Sequence, residues 1–212
     1  NHAQEFADFQ DATYWDFIAA STADNVVLQL DVGWANNAGK NSVEYVQRYP
    51  LEQPVAERIL AVVRSHARCF ERDCWAGHIT GSAWVLNRAG THALLTHHKK
   101  LDRWLQLGGH SDGDSHTLGV ALREAREESG LALELISERV FDIDVHEIPA
   151  RGSEPAHNHL DLRYLLQARA GQDFVVSDES HDLAWVPLAD MARYTTEESV
   201  LRMVRKLADW DL

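Results

Sequence analysis

The sequence has little with which to cross-link itself, span a membrane or grip a polyanion. Two cysteines occur in 212 residues, Cys69 and Cys74. Their C-x4-C spacing matches no zinc signature, and a chain of this size does not need staples, so two reduced, buried thiols are expected. No apolar run approaches the roughly 18 residues that a membrane-crossing helix requires. The first residues, NHAQEFADFQD, lack the basic and apolar regions of a signal peptide. Basic residues are scarce: 20 Lys and Arg stand against 33 Asp and Glu, for a net charge of −13. That balance excludes a general binder of nucleic-acid polymers, which needs clustered cations. It leaves room for a small phosphorylated substrate, because a bound divalent cation reverses the local field. A cytoplasmic protein with no membrane partner is the expectation.

What is present reads as a globular chain, 45% hydrophobic and 25% charged. Two compositional styles meet near Tyr49-Pro50. Before that junction lie a helical segment at Asp11–Ser21 and a buried-strand run, NVVLQLDVGW (25–34); NNAGKNSVEYVQRYP then reads as a turn and a short helix. After it, Pro54 sits where a first helical turn tolerates proline, and Val55, Ile59, Val62 and Val63 repeat with helical spacing. From Ile79 the pattern changes to strands: SAWVLN and HALLTHH flank RAG as a hairpin. WLQLGGH leads into a glycine-rich turn, and Leu118–Ser129 is helical with Gly130 as its C-cap. Strand-like runs follow at LALELISERVFDIDVHEI, HLDLRYLLQA and DLAWVPL. A last helix begins near Thr195, where Thr195 and Glu198 have capping-box spacing, and turns Val200, Leu201, Val204 and Leu207 to a core. Mixed strands with outer helices predict an α/β (α+β) sandwich for residues 51–212, with residues 1–50 as an N-terminal extension.

The chemistry concentrates in ALREAREESG, Ala121 to Gly130. At about 100° per residue, Leu118, Ala121, Leu122 and Ala125 share one stripe of a helix and face the core. Glu124, Glu127 and Glu128 share a neighbouring arc, with Arg123 and Arg126 on the other flank. Like charges three and four residues apart repel, so a divalent cation would offset a cost that a plain solvated face would have to bear. Hard carboxylate oxygens suit Mg²⁺ or Mn²⁺. The preceding LGGHSDGD supplies a glycine turn whose backbone can approach a ligand closely.

The full string GHSDGDSHTLGVALREAREESGL, Gly109–Leu131, resembles the Nudix box, G-x5-E-x7-R-E-U-x-E-E-x-G-U with U aliphatic. Gly109, Arg123, Glu124, Ala125, Glu127, Glu128, Gly130 and Leu131 fall in register. The first box glutamate falls instead on Ser115, which leaves Asp114 or another acid to pair with Arg123. The resemblance runs over residues 75–212 and implies the Nudix α/β/α sandwich with a mixed sheet. It also implies pyrophosphate hydrolysis of a nucleoside diphosphate derivative by water attack at phosphorus, with Mg²⁺ (or Mn²⁺) held by Glu124, Glu127, Glu128 and the carbonyl of Gly108. Arg123 would support that site. Glu179, six residues before Trp185, matches the position of a further acid in several Nudix enzymes. The substrate implied is a nucleotide-type small molecule.

Twelve histidines are many for this length. In HNHLDLRY, His157, His159, Asp161 and Arg163 alternate and share one face of a strand. Such a face could bind a transition metal, line a phosphate pocket or be a polar sheet surface under a loop. His157, His159 and Arg163, with His110 and Asp112 from the glycine turn, are the candidate substrate contacts. His97-His98-Lys99-Lys100 reads as an exposed polar turn, and Trp84 and Trp104 as core.

Residues 1–50 are similar to a fragment of the sugar-phosphate isomerase/epimerase family of TIM barrels, through NHAQEF and LDVGW. One or two βα units cannot close an eight-stranded barrel, so no isomerase activity is expected from them. The run Val26–Val32 needs cover from the rest of the chain or from a second copy, as in a homodimer. Two other readings remain beside hydrolysis. One is a Nudix-like nucleotide sensor that does not cleave. The other is isoprenoid-diphosphate isomerisation, for which neither Cys69 nor Cys74 is clearly placed.

Overall fold

The computed structural model describes residues 46–169, 173–176 and 180–210. The predicted helix at Asp11–Ser21, the strand run at 25–34 and the acid Glu179 lie outside the described residues.

Strand β1, His78–Leu86, decides the two faces of the sheet, because all nine of its residues are buried. Ile79, Ala83 and Val85 enter one hydrophobic cluster, whereas Trp84 and Leu86 enter another. A strand buried on both faces must be covered on both. Among the described residues seven strands form one sheet, in the order β3-β2-β1-β6-β5. These are β2 (His92–His98), β3 (Arg103–Leu105), β4 (Leu107–His110), β5 (Leu133–Ile148), β6 (His157–Ala168) and β7 (Ser180–Pro187). β4 pairs with β1 and β7 with β2. The β1–β6 pair is parallel, running from His78 opposite His159 to Leu86 opposite Gln167. The other pairings are antiparallel, so the sheet is mixed as expected.

Helices α1 (Gln53–Ser65) and α2 (Thr117–Ser129) cover the first face. Ala56, Ile59 and Leu60 of α1 and Ala121 and Ala125 of α2 join Ile79, Leu160 and Leu162 in its core. Helix α3 (Glu198–Lys206) covers the second face, where Val200 and Met203 meet Trp84, Phe141 and Leu165. Each fully buried Leu or Ile contributes about 1.5–3 kcal/mol. The three layers are therefore held mainly by apolar burial, with polar groups placed between.

Two local expectations meet the structure differently. The α2 stripe and its Gly130 cap (φ +69°) are formed as the spacing predicts. The capping box at α3 is not: Thr195 Oγ1 accepts the amide of Glu197, only two residues on, at 3.1 Å, and the helix starts at Glu198. The chain turns locally first, so the hydroxyl is used in that turn. Cys69 and Cys74 are free and buried. No described helix is long and apolar enough to cross a membrane.

Candidate active site

Helix α2 lies unusually close to β1. A Cβ on Gly81 would stand 2.7 Å from the Thr117 carbonyl oxygen, so only glycine lets the helix backbone approach this far. The Thr117 and Tyr164 hydroxyls meet at 2.6 Å and pin the start of α2 to β6, and burial pushes the Tyr164 phenol up to about 12. The helix is thereby fixed in rotation, and its acidic arc is aimed at the end of β4.

On that arc the three glutamates share a direction but not an environment. Glu124 has a side chain 19% exposed, Glu127 is exposed and Glu128 is buried. Gly109 in β4 packs against the Glu124 carboxylate so closely that any Cβ there would collide with it. A single Arg123 nitrogen donates to Glu124 Oε1 at 2.8 Å and to the His110 carbonyl at 3.2 Å. Hydrogen bonding to Glu124 is the main reason the Arg123 pKa is raised. The guanidinium thus ties the end of β4 to the helix, with Glu124 as its acid. Asp114, the nearer sequence candidate, spends Oδ1 on the amide of His116 at 2.8 Å. Ser115 has no comparable reach, so the tie is made from within the helix.

The carboxylates do not close into a compact trio. Among the described residues, the His, Cys, Asp and Glu ligand atoms that gather within 4.8 Å of one another are those of His78, His110 and His159. Arg123 draws Glu124 toward β4 instead, as mutual repulsion on the arc favours. Oxygen donors of the kind a hard cation takes are present at graded depth on the arc, and one of them, the Glu124 carboxylate, lies against Gly109, next to Gly108, whose φ is +154° and whose Cα faces Ser82.

The turn after β4 is braced from outside. Asp112, at φ +50°, forms a two-pronged ion pair with Arg72, one arm at 2.7 Å. The hydrogen bond from Arg72 holds its carboxyl below the usual range. The Gly113 amide bonds the Phe70 carbonyl at 3.0 Å.

His157, His159, Asp161 and Arg163 do share one face of β6, but it is the face opposite α2, and it divides in two. Arg163, only 2% exposed, donates to Asp161 (2.8 Å), Asp142 (3.0 Å) and Asp144 (3.1 Å). Its guanidinium is committed to three carboxylates rather than offered at an open surface. Asp142 also accepts from Arg202 at 2.8 and 2.9 Å and from Lys206, which reaches Glu52 at 2.6 Å. Asp161 accepts from Thr80 (2.9 Å), Ser82 (2.7 Å) and Gln106 (3.1 Å). Two residues along β6 from Asp161, His159 meets the rings of His78, His110, His146 and His157 at centroid distances of 4.8 to 5.4 Å. The sequence did not point to His78 or His146. Register places them there, with His78 opposite His159 across β1–β6 and His146 opposite His159 across β5–β6. The one available signal was the alternation of Asp142, Asp144 and His146, which matches that of His157, His159 and Asp161.

At the other end of the sheet, His97 stacks on Trp104 at 5.0 Å and reaches Asp102 at 3.1 Å, and Trp84 is fully buried.

Among curated proteins none matches the chain. Among solved structures, an Ap4A hydrolase from C. elegans in a binary complex is similar. It is 18% identical over 62% of this chain and 95% of that one, with a TM-score of 0.50, and the likeness shows the fold. A NUDIX-family hydrolase from Clostridium perfringens is 23% identical over 62% and 96%, with a TM-score of 0.48. The family model described as NUDIX domain matches residues 78–207, more than half of the sequence and the whole of the ridge, turn and sheet just described. The chain therefore belongs to the NUDIX family.

Proposed function

We propose that the protein hydrolyses the pyrophosphate bond of a nucleoside diphosphate derivative, with Mg²⁺ (or Mn²⁺) as the metal and water attacking phosphorus. The observation that carries this reading is the seating of Glu124 against Gly109, with Arg123 joining Glu124 to the His110 carbonyl. That arrangement fixes a carboxylate beside a glycine backbone on which a diphosphate can lie closely. Glu124, Glu127, Glu128 and the Gly108 carbonyl would hold the ion. When bound, it draws charge from the nonbridging oxygens and lowers the pKa of the attacking water.

The chain's own residues supply the rest. Gly108 and Gly109 leave the phosphate path free of side chains, and Arg123 keeps the Glu124 carboxylate from swinging into solvent. An acid on the exposed side of the arc, Glu127, accepts the proton of the attacking water, with Glu179 as the further candidate for that step. His110, Asp112, His157 and His159 remain the proposed substrate contacts: Asp112 lies in that turn, His110 leads into it, and the His159 ring stands 4.9 Å from that of His110 and 5.4 Å from that of His157. Arg163 is left out because its donors are already used.

The test is a panel of ADP-ribose, dinucleoside polyphosphates, NADH, nucleotide sugars and oxidised nucleotides, assayed with Mg²⁺ and Mn²⁺. Glu127→Gln and Glu128→Gln are expected to lower turnover by about 10²-fold or more, the scale of removing a group that acts on charge in the transition state, with the fold intact by circular dichroism. Full activity in both variants would reject the assignment. Tight nucleotide binding without turnover in the unaltered protein would favour a sensor.

A further inference from the structure

We propose that His78, His110 and His159 form a binding site for a divalent transition metal of the zinc class, separate from the carboxylate ridge of α2. One ring nitrogen from each lies within 4.8 Å of the other two. Tetrahedral zinc with Zn–N bonds of about 2.0–2.1 Å sets its donors about 3.4 Å apart. A closure of little more than 1 Å, by ring rotation of the half-buried His110 and His159, would therefore bring all three into coordination.

His78 gives the cluster its direction. It is 2% exposed, and neither ring nitrogen has a hydrogen-bond partner. The Cys74 carbonyl is near enough to favour the charged ring slightly but completes no bond. A buried polar atom left without a partner costs about 1–3 kcal/mol, and a bound cation would remove that cost. The rings around it are fixed by other means. The His157 Nδ1–H donates to the Pro155 carbonyl at 2.9 Å, which leaves its Nε2 lone pair free. His146 Nδ1 lies 3.5 Å from the Asp144 carboxylate. These two stand at the rim, 5.4 and 5.3 Å from the His159 ring, and pack against it.

The protonation state agrees with the geometry. Burial first, then neighbouring cationic or imidazole groups, holds His78 and His110 down to about 4 and His159 to about 2. Burial thus disfavours the charged ring at each position, and the neutral imidazole is the form that ligates. Imidazole nitrogen selects zinc, cobalt, nickel or copper over magnesium, which prefers oxygen. The two ion sites therefore differ in ligand chemistry. They also differ in place, since these rings stand on the sheet face opposite α2. They meet at β4, where Gly109 meets Glu124 and the next residue, His110, supplies both a ring to one site and a carbonyl to Arg123 at the other. Three protein ligands leave a fourth position for water or an anionic group.

The experiment strips the full chain with EDTA and titrates it with Zn²⁺ by calorimetry and with Co²⁺ by visible absorption. One equivalent is expected at the histidines, marked by the intense d–d bands of a low-coordinate cobalt site, whereas cobalt on the carboxylates would be octahedral and only weakly absorbing. His110→Phe and His159→Phe keep a packed ring and remove the donor. Each should weaken binding at least tenfold, since even outer partners of a ligand are worth roughly 10–100-fold. Glu127→Gln should bind Zn²⁺ like the unaltered protein while losing turnover, which separates this site from the proposed hydrolytic one. Absence of saturable Zn²⁺ and Co²⁺ binding would overturn the proposal. So would unchanged affinity in both folded histidine variants, or loss of the site in Glu127→Gln.

Discussion

Two ends of one sheet face solve the same problem in opposite ways. Along β1, β5 and β6 a continuous polar column runs under the apolar core. At one end Asp142, 0% exposed, receives Arg163, Arg202 and Lys206, and Asp161 receives four donors. At the other end five histidine rings crowd together, and three of them are held uncharged by burial. The first end buries charge and pairs it completely. The second buries titratable groups, suppresses their charge and leaves lone pairs unspent. A fully paired network serves structure, because nothing further can be added to it. A neutral cluster with free lone pairs costs stability and is worth keeping for what it can bind.

The strongest way to break the comparison is to remove the centre of the paired end. Asp142→Ala leaves Arg163 and Lys206 buried without their shared carboxylate, and breaking a buried pair from one side costs about 3–5 kcal/mol. Urea denaturation should show a loss of this size with an unchanged slope. A loss below about 1 kcal/mol would mean that the network is not closed around Asp142.

The local half of this arrangement was legible in the sequence, and the non-local half was not. Alternation in HNHLDLRY put His157, His159, Asp161 and Arg163 on one face, and the helical wheel put Ala121 and Ala125 inward and the glutamates on one arc, because both periodicities are short-range. The Nudix-like string and the Gly130 cap likewise depend on neighbours in the chain. What escaped depends on register between strands far apart. His78 meets His159 only because β1 and β6 run parallel, and a one-residue slip would have turned one of them to the other face. Arg163 could be placed on a face but not assigned a role, since Asp142, Arg202 and Lys206 approach it from other elements. β5 was also obscured: its register shifts between Leu135 and Val140 and again before Asp142, which breaks the alternation expected of a single strand. The replacement for the missing box acid was hidden for a different reason, as Arg123 turns to the adjacent Glu124, a pairing that helical spacing does not favour.

Acid should separate the two ends by pH. His78 and His110 fall from 6.5 in the unfolded chain to about 4 in the folded one, so between those values the unfolded state binds protons that the folded state refuses. Their stability is present in full above about pH 6.5 and is lost as pH falls toward 4. At about 1.4 kcal/mol per pH unit, His78 alone puts roughly 3 kcal/mol on that slope. Asp142 and Asp144 are shifted the other way relative to their charge: against the opposing effect of burial, the hydrogen bonds of Arg202 with Asp142 and of His146 with Asp144, together with the neighbouring Arg163, hold both below 3.8, so their contribution survives until pH drops under that value. Metal-free protein should therefore show a melting temperature that is level above pH 7, declines from 6.5 to 4 and declines further below 3.8. A level profile down to pH 4 would mean that the rings are charged in the folded state.

The smallest effect is the most telling, because its sign is at issue. His78→Leu replaces a buried, unpartnered imidazole with an apolar side chain of similar volume. At pH 7 the ring is neutral in both states, so charge does not enter. What remains is the desolvation of two ring nitrogens, which leucine does not pay, against any packing mismatch. The expected change is within about 1 kcal/mol of zero or slightly stabilising, as when buried polar groups give way to apolar ones of the same shape. At pH 5 the unfolded parent is largely protonated at this position and the variant is not, so the variant should be the more stable of the two. The same substitution should abolish saturable Zn²⁺ binding. Stability held or gained while a metal is lost is the outcome that a structural role for His78 does not produce. A loss above about 2 kcal/mol at pH 7 would show the ring nitrogens to be satisfied in the fold, and the two ends of the face would then differ in composition but not in kind.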